Sequence, residues 1–224
     1  MKVYFIGAGP GDPELLTIKG QKIIKEADIV IYAGSLVNKE ILNFAKDKVK
    51  IYDSSKMSLN EITKIFDKAR KKDGIIARIH SGDPSLYSAI QEQMDWCERE
   101  KIPYEVIPGV SSFSAAAAKI KQELTLPGVS QSVILTRISG RTKVSPGEDI
   151  SLLAKAKATI VVFLSIQEID KVVTKLLTEY PADTPVAVIY KVSWPEEKII
   201  QGNLSNIAQK VKEAKVTHQA IILV

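Results

Sequence analysis

Ile75-Ile76-Ala77-Arg78-Ile79-His80-Ser81-Gly82-Asp83-Pro84-Ser85-Leu86-Tyr87 reads as a strand, a glycine turn and the opening of a helix. The run from Ile75 to Ile79 has the look of a buried strand. Gly82 supplies the turn and lets a ligand approach bare backbone. Asp83-Pro84 predicts a helix start, because proline in a first turn lacks only an N–H that would go unpaired anyway. In an open parallel sheet, the carboxyl end of a strand is where ligands bind. Ser81, Gly82 and Asp83 are therefore a candidate pocket floor, and His80 either lines that pocket or packs beneath it.

Working outward, the same rhythm repeats. Strands are predicted over 3–6, 28–32, 49–52, 75–79 and 104–106, with helices over 16–26, 36–45, 59–71 and 86–99 between them. Leu59, Ile62, Ile65, Phe66 and Ala69 recur at helical spacing behind a Ser58 cap with Glu61 three residues on. Such alternation predicts a parallel sheet with helices outside. The rhythm changes after Ala118, where Leu124-Thr125-Leu126-Pro127-Gly128 is a loop. Strands over 132–136, 159–164, 186–190, 198–201 and 220–224 follow, with helices over 150–155, 167–179 and 204–215. The short turns around Gly202 predict antiparallel pairing in this half. The expected fold class is α/β, as two α/β domains over 1–118 and 119–224 with an interdomain cleft, a common place for a ligand.

The first strand runs into Gly7-Ala8-Gly9-Pro10-Gly11-Asp12-Pro13. A dinucleotide fingerprint needs glycine where Asp12 stands, and a carboxylate there would repel a pyrophosphate. Pro10 and Pro13 remove two backbone donors, and the second strand ends in Ala33-Gly34 where an acidic residue would hold a ribose. These details count against a nicotinamide site.

At 224 residues and 45% hydrophobic content, the chain can bury a large core as a soluble globular protein. Its apolar runs are too short to span a membrane. Met1-Lys2 leads straight into a strand, so no secretory signal is expected. The single cysteine, Cys97, excludes an intramolecular disulfide and any multi-cysteine metal site. A cytoplasmic location is expected. The net charge of +5 suits an acidic ligand, but aromatics at 6% give no basic–aromatic interleaving, so nucleic acid is not expected.

His80 and His218 lie far apart with no carboxylate pair at metal spacing, so no metal is expected. No Gly-x-Ser-x-Gly elbow or Walker sequence is present. Cys97, beside Trp96 on a helix, reads as buried and inert. The chain thus has pocket-forming turns without a nucleophile set, which fits a transferase whose cosubstrate brings its own reactivity. A third turn, Pro108-Gly109-Val110-Ser111-Ser112, opens an alanine-rich helix whose small residues leave room for a flat ligand. A fourth cluster, Thr136-Arg137-Ile138-Ser139-Gly140-Arg141-Thr142-Lys143, supplies cations for carboxylates. Arg137 and Arg141, with His80 and Tyr87, are the candidate substrate-binding residues.

Seven segments carry a resemblance to a known family. They are Gly7 to Thr17, Tyr32-Ala33-Gly34-Ser35-Leu36-Val37, His80 to Tyr87, Pro108 to Ser112, Leu124-Thr125-Leu126-Pro127, Thr136-Arg137 with Gly140-Arg141-Thr142, and Ser193-Trp194-Pro195. Together they resemble the tetrapyrrole methylase superfamily, and more narrowly its precorrin-4 or cobalt-precorrin-4 C-11-methyltransferase branch. The resemblance implies a two-domain fold, S-adenosylmethionine as cofactor in the interdomain cleft, a polycarboxylate tetrapyrrole substrate and a homodimer. Carried over by position, it implies cofactor contacts at Pro10, Ser81, Gly82, Asp83, Leu86, Ser111, Ser112, Leu164 and Ala187. Ala33 stands where the uroporphyrinogen-methylating relative has an acidic residue, which counts against that substrate. Two alternatives stay open: a sister methylase of the same fold, separated by a substrate panel, and a nucleotide-binding oxidoreductase, separated by nicotinamide binding.

Overall fold

The structure, a computed structural model, describes residues 1–71, 73–140 and 142–224. It separates into two compact units, Met1–Ser112 and Phe113–Val224, a division that falls N-terminal to the expected boundary at Ala118.

The first unit is a five-stranded parallel sheet. Its strands are β1 (Lys2–Gly7), β2 (Ile29–Tyr32), β3 (Lys50–Asp53), β4 (Ile75–His80) and β5 (Tyr104–Ile107), in the order β3-β2-β4-β1-β5. Its α-helices are α1 (Ile18–Glu26), α2 (Leu59–Ala69) and α3 (Gln91–Arg99). Side chains alternate across the pleat, and the central strands β1, β2 and β4 are buried on both faces, while the edge strand β3 is exposed. Ile6, Val30 and Ile79 pack with Ile23 and Ile24 of α1 on one face. Val3, Phe5 and Ile76 pack with Phe66 of α2 and Cys97 of α3 on the other.

This arrangement fixes where a ligand can sit. β1 and β4 are neighbours, but the chain leaves β1 towards α1 on one face and leaves β4 towards α3 on the other. The connections diverge to opposite faces, and the carboxyl ends of these two strands are where an open parallel sheet places its ligand crevice.

Local sequence explains most boundaries. Ser58 and Glu61 form the predicted capping box of α2. Thr17 caps α1 by accepting from the Gly20 N–H at 3.1 Å. Two predicted helices differ. The stretch 36–45 holds a 3₁₀ helix, Lys39–Phe44, in place of an α-helix. Asn38 caps it, accepting from Glu40 N–H at 3.0 Å, while its amide donates to the Gly11 carbonyl at 3.0 Å. That tie favours a short, tight turn. The helix predicted from residue 86 begins only at Gln91, because Tyr87 and Ala89 have φ of 56° and 50°, which no right-handed helix accepts.

The second unit starts within α4 (Ser112–Lys119). Its sheet comprises β6 (Val133–Thr136), β7 (Thr159–Val162), β8 (Pro185–Tyr190), β9 (Lys198–Asn203) and β10 (Ala220–Leu223), in the order β6-β7-β10-β8-β9. β6 and β7 run parallel, whereas β10 pairs antiparallel with β7 and β8, and β9 antiparallel with β8 as expected. Helices α5 (Ile150–Leu153), α6 (Ile169–Leu176) and α7 (Ile207–Glu213) cover one face through Ile150, Val172, Leu176 and Ile207. On the other face Ala115 and Ala116 of α4 pack onto Val161, Ile189 and Ile221. The alanines therefore serve close helix-on-sheet packing, where the sequence suggested room for a ligand. No helix among the described residues is long and apolar enough to cross a membrane.

Candidate functional site

Three glycine turns meet at the β1/β4 crevice. The Ala8 N–H donates to the His80 carbonyl at 2.8 Å. Beyond the strand ends, Gly9 and Gly82 bridge each other: Gly82 N–H to Gly9 O at 2.7 Å and Gly9 N–H to Gly82 O at 3.3 Å. Gly7 and Gly109 touch backbone to backbone. A Cβ on Gly7 would stand 2.6 Å from Gly109 Cα and 2.6 Å from Gly82 O, closer than real atoms approach. Gly82 differs. Its φ is 63°, and a Cβ there would meet Ser111 Cα and Ser112 N at 3.8 Å, ordinary contact without a clash. The floor is therefore bare backbone that other atoms can touch.

Asp83 clasps this floor. One carboxylate oxygen accepts from the Gly109 N–H at 2.9 Å, joining the turn after β4 to the turn after β5. The other accepts from the Ser85 N–H at 2.8 Å and from the Ser85 hydroxyl. Burial alone would push the Asp83 carboxyl up, but the Ser85 hydroxyl and the Gly109 and Ser85 amides together hold it below the usual carboxylate value. Because the folded state lowers this pKa, the clasp adds stability above the unfolded carboxylate pKa. That stability fades as pH falls through the folded value. Asp83→Ala is expected to lower stability by about 2 kcal/mol at pH 7, the scale of a charged hydrogen bond. Denaturant melts at pH 7 and pH 3 check this: the gap between wild type and variant should shrink in acid.

The other expected residues of this unit divide by depth. Pro10 and Ser111 are buried; Ser81, Leu86 and Ser112 are half-buried around the crevice. Tyr87 is 43% exposed. His80 is 4% exposed and packs beneath the turn against Phe5, ring centroids 6.3 Å apart, so of its two possible places the structure gives the lower one. Its Nε2 is buried without a hydrogen-bond partner. Burial, with the Arg78 guanidinium nearby, pushes the imidazole down to about 3, so it is neutral at physiological pH.

In the second unit Leu164 follows β7 with a left-handed backbone, φ 53°, and 70% exposure. Ala187 lies in β8 and lines an open, mainly apolar cavity of about 500 Å³ with Leu126, Val129 and Val224. Arg137 is braced on its own loop, donating from Nη1 to Thr142 O at 2.9 Å and from Nη2 to Lys143 O at 3.1 Å, both bonds exposed. Arg141, the companion cation read from the sequence, lies outside the described residues.

Comparison with known proteins decides the family. Residues 2–208 match the family model of Tetrapyrrole (Corrin/Porphyrin) Methylases. The chain belongs to the tetrapyrrole methylases. A Cobalt-precorrin-4 C(11)-methyltransferase of Methanocaldococcus jannaschii is 50% identical over 224 residues, covering 100% of this chain and 86% of the relative. A Precorrin-4 C(11)-methyltransferase of Pseudomonas aeruginosa is 44% identical, covering 100% and 89%. Among solved structures, a cobalt precorrin-4 methyltransferase superposes with a TM-score of 0.96 at 41% identity, covering 99% of this chain and 93% of that one. A Thermus thermophilus uroporphyrin-III C-methyl transferase complexed with S-adenyl homocysteine gives 0.80 at 27% identity, covering 100% and 92%.

As a tetrapyrrole methylase, the chain carries features that motif reading passed over. The Asp83 clasp is one, since the sequence offered that carboxylate to a ligand. Asp53 is another: it accepts from Gly34 N–H at 3.1 Å and Ser55 N–H at 2.9 Å, tying the Ala33-Gly34 turn to the loop after β3. The third is Arg78, a cation inside an otherwise apolar strand and only 5% exposed. Its presence in the run Ile75 to Ile79 was the available signal, because a buried arginine needs partners.

Proposed function

We propose that this tetrapyrrole methylase transfers a methyl group from S-adenosylmethionine to carbon 11 of precorrin-4 or cobalt-precorrin-4, in corrin-ring biosynthesis. The observation that carries the reading is full-length identity of 50% to a relative bearing that activity. A TM-score of 0.96 to a cobalt precorrin-4 methyltransferase supports it.

S-adenosylmethionine suits the floor: it supplies an electrophilic methyl on a cationic sulfur, and Gly82, without a Cβ, lets a ligand lie against bare backbone. Ser81, Gly82 and Asp83, with Pro10, Leu86, Ser111 and Ser112, are the proposed cofactor residues of the first unit, and Leu164 and Ala187 those of the second. Tyr87 and Arg137 are proposed for the substrate. His80 supports the turn from below, as its burial requires. Arg137, braced on its own loop, presents cationic charge to substrate carboxylates. The protein's work is to orient two reactants and exclude water, and orientation alone can contribute on the order of 7–11 kcal/mol. The assembly is proposed as a cytoplasmic homodimer. Exposed apolar Val129 and Leu126 beside the second unit's cavity support a partner surface, and light scattering of the purified protein tests it.

Incubation with carbon-13 methyl-labelled S-adenosylmethionine and a panel of corrin intermediates tests the reaction. One labelled methyl at carbon 11 of precorrin-4 or its cobalt form is the expected product. Label at another carbon, or transfer to uroporphyrinogen, would move the chain to a sister branch.

A further inference from the structure

One buried polar chain crosses the first unit, and neither the glycine turns nor the Asp83 clasp uses it. Arg78 lies in β4 and faces α3. Its Nε donates to the Gln93 side-chain oxygen at 3.1 Å. Its Nη1 donates to the Ser54 hydroxyl at 2.9 Å and to the Ile31 carbonyl at 3.4 Å. The Ser54 hydroxyl in turn donates to the Tyr32 carbonyl at 3.0 Å. At the other end the Gln93 amide nitrogen donates to the Ala89 carbonyl at 3.2 Å. Only one orientation of the Gln93 amide satisfies both neighbours, because the reverse would set an NH₂ against the guanidinium. Ser54, Arg78 and Gln93 are all buried.

Two facts make this chain more than packing. Arg78 is a buried cation whose hydrogen-bond partners given above are all neutral, and burial pushes its guanidinium down to about 10. Isolated buried charge is costly, and a methionine would fill a core more cheaply. The chain also ends on a strained segment. Loop 84–90 holds Tyr87 and Ala89 at positive φ, and Tyr87 is 43% exposed. Strained conformations of this kind persist only where their surroundings over-determine them. The Gln93–Ala89 bond, part-buried, contributes to that over-determination.

We propose that the polar relay Tyr32–Ser54–Arg78–Gln93–Ala89 holds the strained stretch 87–90 as a platform for the tetrapyrrole, which makes Arg78 and Gln93 positioning residues for substrate and not for cofactor. The division follows from where the two supports attach. Asp83 secures the glycine turns and, through Ser85 and Ser88, the start of the loop with Leu86, whereas the relay secures Ala89, two residues from Tyr87. The proposal rests on the tetrapyrrole reading above and adds residues outside any motif.

Gln93→Glu is the decisive variant. Its carboxylate still accepts from Arg78 and now opposes the buried charge, but it has no N–H for Ala89 and sets an oxygen against that carbonyl. The expected result is a melting temperature at or above wild type, unchanged S-adenosylhomocysteine affinity and faster amide exchange over 87–90. The KM for the tetrapyrrole should rise about tenfold, the scale of one hydrogen bond, with kcat little changed. Ser54→Ala removes the far end of the relay and serves as a second variant; it should raise the same KM by about threefold. Unchanged KM and unchanged exchange in a folded Gln93→Glu protein would overturn the proposal. So would equal weakening of both ligands, which marks general damage. A wild-type protein that methylates no tetrapyrrole would overturn the substrate reading instead, while loop exchange still judges the relay.

Discussion

Gly82→Leu should abolish S-adenosylhomocysteine binding in a protein that still folds. The missing Cβ of Gly82 would meet nothing nearer than 3.8 Å, so the first atom of a side chain there clashes with no neighbour. Its backbone cost is the left-handed φ of 63°, about 1–2 kcal/mol for a residue with a Cβ. A chain of this size can absorb that and remain folded. What the leucine removes is a ligand's access to the bare backbone of the crevice floor. Titration calorimetry on a variant with native circular dichroism is the test, with at least a 100-fold loss expected, about 2.7 kcal/mol by the affinity relation. Retained affinity would place the cofactor elsewhere.

Gly109→Ala should do the opposite, damaging the fold first. A Cβ there would press into the Gly82 carbonyl and stand 2.8 Å from Gly7 Cα. Both obstacles are backbone in neighbouring turns, so no rotamer change relieves them. The Asp83–Gly109 bond at 2.9 Å would be pulled apart with them. Overpacking of this kind costs roughly 1–3 kcal/mol, and loss of the clasp adds a comparable amount. Thermal unfolding should show a fall of roughly 10 °C or more, on the usual scaling for domains of this size. A melting temperature within a degree or two of wild type would mean that the turns slide apart freely and that their contact is incidental. The two glycines thus make a matched pair, one kept for a ligand's approach to its backbone and one for close contact between turns.

Much of the fold was legible along the chain because its signals are local. All ten predicted strands are present, since runs such as Val3 to Ile6 and Thr159 to Val162 are apolar and bounded by turn residues. The capping box at Ser58 and Glu61 marked the start of α2, because cap and partner are three residues apart. The helices that came out otherwise depend on distant partners. Asn38 reaches Gly11 across 27 positions, and Gln93, bonded to Ala89 four positions back, is itself fixed by Arg78 across 15. No short window of sequence contains the Asn38–Gly11 and Arg78–Gln93 ties.

The candidate site divides on the same line. By itself the sequence located the glycine, proline and serine turns that follow the apolar strands, and motif resemblance supplied the family. Only the tertiary structure decided what each residue does there. Asp83 is a clasp between turns 26 positions apart, His80 lies under the floor, and the alanines of α4 pack on a sheet. These roles are set by which strands become neighbours. The order β3-β2-β4-β1-β5 puts the end of β4 beside the end of β1, where the glycines meet. Strand order follows from burying both faces of a sheet at once, a property of the whole unit that no single segment encodes.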